Sequence, residues 1–381
     1  MATRREFVSL SLGTGAALTL RAQTGREQKS KAVKSLRLAK VFENTYLVAA
    51  SPDGRKIAIT RNHGNPRSES LAVIDLDTWK ELGSIGLLAP SASVSFFGSG
   101  ESLYAETVPT EESHFARVER IVLNLTNWSI DRCTPHESAD RVVVYQALKT
   151  NTLAGAELTR GKGMTGLVVA SLPNYEETVR VPFSISDSVE PNYRHSNIAI
   201  STNADHLAYG SARSIICRRI SDLGLVWTRE VEQEMFGVRY ASITPDGRRV
   251  AVAVMDTMFV ADQRNFYVGV FDAQTGSPIA RLHLNGTDCM ALSPDGKLIA
   301  VENRRTPTPR VSQPVIEIYD IDSGLQIAEV IHDSHLATAR DFGFDQVRAD
   351  FSADGKYLIT STTHTKVWAL EPSATPGFLR R

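Results

Sequence analysis

A single turn, written four times along the chain, constrains the fold more than any other feature. Ser51-Pro52-Asp53-Gly54, Thr244-Pro245-Asp246-Gly247, Ser293-Pro294-Asp295-Gly296 and Ser352-Ala353-Asp354-Gly355 each lie between two apolar runs and are followed by a basic residue. Proline presets φ at the first turn position, aspartate tolerates the second and glycine takes a positive φ. Each copy therefore joins two strands in a tight hairpin. Weaker copies stand at Phe97-Gly98-Ser99-Gly100 and Ser201-Thr202-Asn203-Ala204.

A second signature follows each copy: β-branched residues, a polar residue, then another turn. It is clearest at Val73-Ile74-Asp75-Leu76-Asp77-Thr78, Val270-Phe271-Asp272-Ala273-Gln274-Thr275-Gly276 and Ile318-Tyr319-Asp320-Ile321-Asp322-Ser323-Gly324. Degenerate copies complete a series anchored at Asp75, Asn124, Ser171, Arg219, Asp272, Asp320 and Ala369, with steps of 49, 47, 48, 53, 48 and 49 residues. Helical periodicity is nearly absent, and the runs are short, β-branched and bounded by turn residues. Seven units at one period predict an all-β, seven-bladed β-propeller of four-stranded antiparallel blades over residues 35–372. After Leu370 too little chain remains for a last strand. Leu36–Phe42, ahead of the first unit, is therefore expected to supply the outer strand of the last blade and leave no open edge. The third unit lacks a recognisable first turn near Lys149–Ala154 and rests on its anchor alone.

These turns resemble the WD40 and YVTN-type propeller repeats over essentially the whole span from residue 35. The chain departs from WD40 in having no Trp-Asp and no Gly-His dipeptide. The buried hydrogen-bond network of WD40 blades is therefore not expected here.

The N-terminus reads as an address. Thr3-Arg4-Arg5-Glu6-Phe7 precedes a mildly apolar stretch to Leu20 and then Arg21-Ala22-Gln23. It resembles a twin-arginine signal peptide over residues 1–22, with cleavage near Ala22. The stretch is too short and too rich in Gly, Ser and Thr to remain as a membrane span. Residues 23–34 read as a disordered tether and 373–381 as a tail. The expected location is the periplasm, or another site reached by that route.

Lys+Arg 42 against Asp+Glu 43 gives a formal charge of -1, which argues against nucleic acid as a partner. Cys133, Cys217 and Cys289 fall in no metal, redox or haem spacing. No Gly-x-Ser-x-Gly elbow, Walker loop or His-Glu-x-x-His helix occurs, so neither a cofactor nor a metal is expected.

Long b-to-c and d-to-a connections are expected on one face, opposite the tight turns, and they hold the candidate ligand-binding rim: Arg61, His63, His114, Arg264, Arg304, Arg305, His332 and His335. Converging arginines suit a carboxylate or phosphate by bidentate hydrogen bonding. The same loops carry many acidic residues, which also fits a solvated mixed-charge surface. His332, Asp333 and His335 have metal-ligand chemistry but no third ligand in sequence. The first expectation is a monomeric, non-enzymatic module that binds a protein or a cell-envelope component. The alternative is an enzyme with its site at the channel mouth, of the lactone hydrolase or quinone-dependent dehydrogenase kind.

Overall fold

The computed structural model describes residues 35–371 apart from 63–68, 88–90, 108–118, 134–140, 148–151, 160–162, 173–174, 183–197, 202–204, 211–213, 232–234, 257–265, 285–288, 309–310, 333–334, 337–347 and 363. The leader, the tether and the tail lie outside these residues, as does the first turn of the third blade. Every regular element among the described residues is a strand, and none is a helix long and apolar enough to cross a membrane.

The chain opens with β1 (Ser35–Glu43). The first blade is β2 (Thr45–Ala50), β3 (Lys56–Asn62), β4 (Glu69–Asp75) and β5 (Glu81–Leu87). The second is β6 (Ser91–Phe97), β7 (Ser102–Thr107), β8 (Glu119–Asn124) and β9 (Ile130–Cys133). The third is β10 (Arg141–Ala147), β11 (Thr152–Thr159), β12 (Gly163–Ser171) and β13 (Glu176–Pro182). The fourth is β14 (Ile198–Ile200), β15 (His206–Gly210), β16 (Ser214–Arg219) and β17 (Leu225–Glu230). The fifth is β18 (Met235–Ile243), β19 (Arg249–Asp256), β20 (Phe266–Asp272) and β21 (Pro278–Leu284). The sixth is β22 (Met290–Leu292), β23 (Leu298–Thr308), β24 (Val311–Asp320) and β25 (Leu325–Ile331), with the short β26 (His335–Leu336) added to β24. The seventh is β27 (Arg348–Phe351), β28 (Tyr357–Ser361) and β29 (His364–Glu371), completed by β1. This is a seven-bladed propeller, closed by its N-terminal strand as the sequence predicts.

The middle strands of a blade are covered on both faces by neighbouring blades, so they read as continuous apolar runs. Ile57-Ala58-Ile59 and Leu71-Ala72-Val73-Ile74 are buried without interruption. Outer strands alternate instead, and β5 buries only Ile85 and Leu87. The core is accordingly divided into seven clusters, one between each pair of consecutive blades. Each fully buried Leu, Ile or Val stabilises such an interface by about 1.5–3 kcal/mol.

The repeated first turn satisfies itself. In the first blade, Gly54 has φ +70° and its N–H donates to the Ser51 carbonyl at 2.9 Å. The Ser51 hydroxyl donates to Asp53 Oδ1 at 2.5 Å and accepts the Lys56 N–H at 2.8 Å, and Asp53 Oδ1 accepts the Arg55 N–H at 3.0 Å. These polar groups close the hairpin and leave little for a ligand.

The second turn shows how blades are wedged together. Its fourth residue past the anchor is left-handed in six blades, but only Gly276 and Gly324 are glycine there. Trp79, Trp128, Tyr175 and Leu223 hold φ of 58°, 58°, 56° and 53° at the same place. That conformation costs a residue with a side chain about 1–2 kcal/mol. Packing against the preceding blade offsets the cost. Trp79 meets Tyr357 of the seventh blade edge-on at 5.7 Å, and Leu223 is buried between blades three and four. At Gly276 the wedge comes from the other side. Trp227 of blade four lies where a Cβ would meet it at 2.8 Å, and its Nε1 donates to the Ala273 carbonyl at 2.7 Å. Gly324 has the same φ of 68° but nothing within 4 Å of a Cβ. Gly276→Ala is therefore expected to destabilise clearly more than Gly324→Ala, which incurs the conformational cost of about 1–2 kcal/mol alone. Chemical denaturation of the two variants measures the gap, and equal losses would remove the role assigned to Trp227.

Candidate binding face

First and third connections within each blade are the tight turns, and they share one face of the ring. The second connections and the links between blades share the other. The turn face is acidic but self-contained. Asp75 and Asp272 each accept hydrogen bonds from the threonine three residues on, and these hold both carboxyls below the ordinary value. On the other face the strand ends carry a buried polar belt.

Three parts of that belt tie blades together. Thr45 Oγ1 donates to Thr365 Oγ1 at 2.8 Å and accepts the Thr365 N–H at 2.9 Å, joining blade one to blade seven. Arg120 pairs with Glu106 at 3.1 Å, and the two side chains are 4% and 0% exposed. The same guanidinium donates to the Val143 carbonyl at 3.1 Å and lies 5.6 Å from the Tyr175 ring centre, both in blade three. The third part is His332, whose Nε2 is 2.9 Å from Thr360 Oγ1. That hydroxyl also accepts from Trp368 Nε1 at 2.9 Å, and Thr362 Oγ1 lies 3.4 Å from His332 Nδ1.

The structure thus sorts the candidate rim. His332 is buried between blades six and seven, bonded to Thr360 of the seventh. Through Thr360 it is linked to Trp368, a buried histidine–threonine–tryptophan chain that joins blade six to blade seven. Arg61 pairs with Glu81 Oε2 at 2.5 Å, within its own blade. His63, His114 and Arg264 lie outside the described residues. Arg304 and Arg305 belong to β23 and His335 to β26, so these residues, expected on loops, lie on strands, and β23 and β24 extend as paired arms to Thr308 and from Val311. Register continues from Leu298↔Asp320 out to Arg305↔Gln313, and Thr308 pairs with Val311 after a register shift. The arm outruns its sheet because β22 covers β23 only at Ile299, Ala300 and Val301.

No family model matches the chain, and no curated protein matches it. Among solved structures, Kuenenia stuttgartiensis hydrazine synthase superposes with a TM-score of 0.59 at 16% identity, covering 90% of this chain and 98% of that one. The likeness is one of fold. With 951 solved chains matching, the architecture is too widely used to indicate a function.

Cys217 and Cys289 are free and buried, and burial pushes both thiols up to about 12, far from nucleophilic. No group of three metal-ligating side chains occurs among the described residues. Asp350, on the inner strand β27, has its carboxyl moved towards neutrality. Burial raises it to about 6, against hydrogen bonds from the Ala50 N–H at 3.2 Å and the Phe351 N–H at 2.9 Å.

Because its folded pKa lies above the ordinary value of 3.8, Asp350 contributes stability that is complete below about pH 4 and is lost as pH rises through about 6. Asp75 and Asp272 act oppositely, losing their contribution as pH falls below about 4. Asp350→Asn is expected to abolish a decline of about 2 kcal/mol between about pH 4 and pH 7. Urea denaturation at the two pH values reads it, and an unchanged slope in the variant would exclude Asp350 as its source.

Proposed function

We propose that this protein is an exported, non-enzymatic binding module, a divergent relative of the WD40-like and YVTN-type propellers, which holds a protein or cell-envelope component on its long-connection face. The observation that carries this is the blade-six arm. Among the described residues the tight turns lie on one face, with those at Ser51, Thr244, Ser293 and Ser352 bonded within themselves, whereas the extra structure, β23 and β24 beyond the blade together with β26, stands on the other. Rigid scaffolds put recognition on such excursions. The His332–Thr360–Trp368 network supports the kinship with WD40-like blades, and Arg4-Arg5 supports the route of export.

The experiment has two parts. Arg4→Lys with Arg5→Lys is expected to leave the chain in the cytoplasm, and export of the double variant at the normal level would remove the proposed route. A photo-crosslinking residue at Arg61 on the long-connection face is expected to trap a partner in cells, while one at Thr78 on the turn face is not. Equal trapping from both faces, or from neither, would overturn the assignment of the face.

A further inference from the structure

We propose that Asn127, on the turn between β8 and β9 of the second blade, is an acceptor for an N-linked glycan, attached to the folded chain through its side-chain amide nitrogen. This goes beyond the binding role above and rests on the exported reading only for the compartment, since such glycans belong to surface segments of exported chains.

The acceptor pattern Asn-x-Ser/Thr, with x other than proline, occurs three times in the chain, as Asn124-Leu125-Thr126, Asn127-Trp128-Ser129 and Asn285-Gly286-Thr287. The last lies outside the described residues. The first is committed to the fold. Asn124 stands at the anchor position, and its Oδ1 accepts the Thr126 N–H at 2.9 Å and the Asn127 N–H at 3.4 Å, as Asp75 Oδ1 does for Asp77 and Thr78.

Asn127 differs from its counterparts. Three residues past the anchor, blades one, five and six have Thr78, Thr275 and Ser323, and each hydroxyl donates to the anchor aspartate, at 2.7, 2.9 and 2.7 Å. In the second blade that place holds an amide, which reaches forward instead. Its Oδ1 accepts the Ser129 N–H at 2.9 Å, an Asx-turn. Asn127 and Ser129 are both exposed, and among the described residues nothing bonds the Asn127 Nδ2 or the Ser129 hydroxyl. Trp128 between them is turned inward, against the core of blades one and two. It holds φ of 58° and lies so close to Gly83 that a Cβ there would meet its ring at 2.5 Å. The wedge thus presents the acceptor pair outward on a fixed turn.

An amide nitrogen is a poor nucleophile because its lone pair is shared with the carbonyl. The hydrogen bond to Asn127 Oδ1 draws charge towards that oxygen and makes the Nδ2–H more acidic. In the transfer, Nδ2 attacks the anomeric carbon of a glycan carried on a lipid diphosphate. The carbon–nitrogen bond forms and the anomeric carbon–oxygen bond breaks. The lipid diphosphate leaves with the electron pair, and the Nδ2 proton passes to a base of the transferring enzyme. The glycan then stands on the turn face, away from the long connections that carry the binding role.

The test gives the purified, folded mature chain to an oligosaccharyltransferase with a lipid-diphosphate-linked glycan, beside an Asn-x-Thr peptide that shows the enzyme to be active. Peptide mass spectrometry is expected to find a glycan on Asn127 and none on Asn124. Asn127→Gln and Ser129→Ala should each abolish it and Ser129→Thr should keep it, while Thr126→Ala and Asn285→Gln leave it unchanged, all with cooperative melts. A folded chain that takes no glycan at Asn127 while the peptide does would overturn the proposal. So would a glycan on Asn124 in its place, or transfer that begins only after denaturation. Because the reaction runs outside the cell, its failure leaves the export and binding readings standing, and their failure leaves its result standing.

Discussion

Arg120→Ala is expected to lower the unfolding free energy by about 3–5 kcal/mol, the cost of leaving a buried carboxylate without its cation. Glu106 is fully buried beside it, and the same substitution removes the bond to the Val143 carbonyl, so the second and third blades lose a clamp together. The desolvation of two charges nearly cancels their attraction, which separates this outcome from a simple count of bonds. Glu106→Gln with Arg120→Met should recover most of the loss, because a buried pair replaced by groups of similar shape is often close to neutral. Denaturant titration of the single and double variants closes the cycle. A loss under about 1 kcal/mol for Arg120→Ala would mean that the pair is solvated in the native protein.

Deleting Ser35–Glu43 is expected to be more severe. β1 pairs with β29 at eight positions, and Leu36 and Phe42 pack into the two clusters on either side of blade seven. Without β1, β29 becomes the open outer edge of its sheet, the arrangement that invites aggregation. The expected result is insoluble or non-cooperatively unfolding protein, with a cost above about 5 kcal/mol. A synthetic peptide of the deleted sequence should restore a cooperative melt. A truncated chain that melts like the parent would show that the ring does not depend on its closing strand.

How much was legible in the sequence differs sharply between frame and site. The blade count was readable because every blade repeats the same local problem, two hairpins with turns that only certain residues solve, so Asp75, Asp272 and Asp320 fall at one period. Closure was readable from arithmetic, since a strand lay unused at one end and was missing at the other. The wedge was not readable. Trp79, Trp128, Tyr175 and Leu223 share a backbone conformation but no side-chain chemistry, and what unites them is a neighbouring blade far away in sequence.

The surroundings of His332, Arg304 and Arg305 were illegible for a related reason. His332 follows a strand and looks like a loop histidine, yet Thr360 reaches it from the next blade, itself held by Trp368. Nothing near it in the chain announces them. Arg304 and Arg305 sit among Thr and Pro, a composition that reads as loop, and they become strand because the hairpin begun by Leu298↔Asp320 stays in register. Local composition does not report pairing between segments, and pairing is what makes Arg304 and Arg305 strand residues.

The closing strand also makes the ring mechanically anisotropic. Ser35 and Glu371 face each other at the same end of the β1–β29 pair. Tension between those two points would load one residue pair at a time, like a zipper, and not all eight in shear. A ring that resists heat as a cooperative whole would thus open under modest force applied at its own ends, while a pull on the blade-six arm would meet the full ladder of β23 against β24.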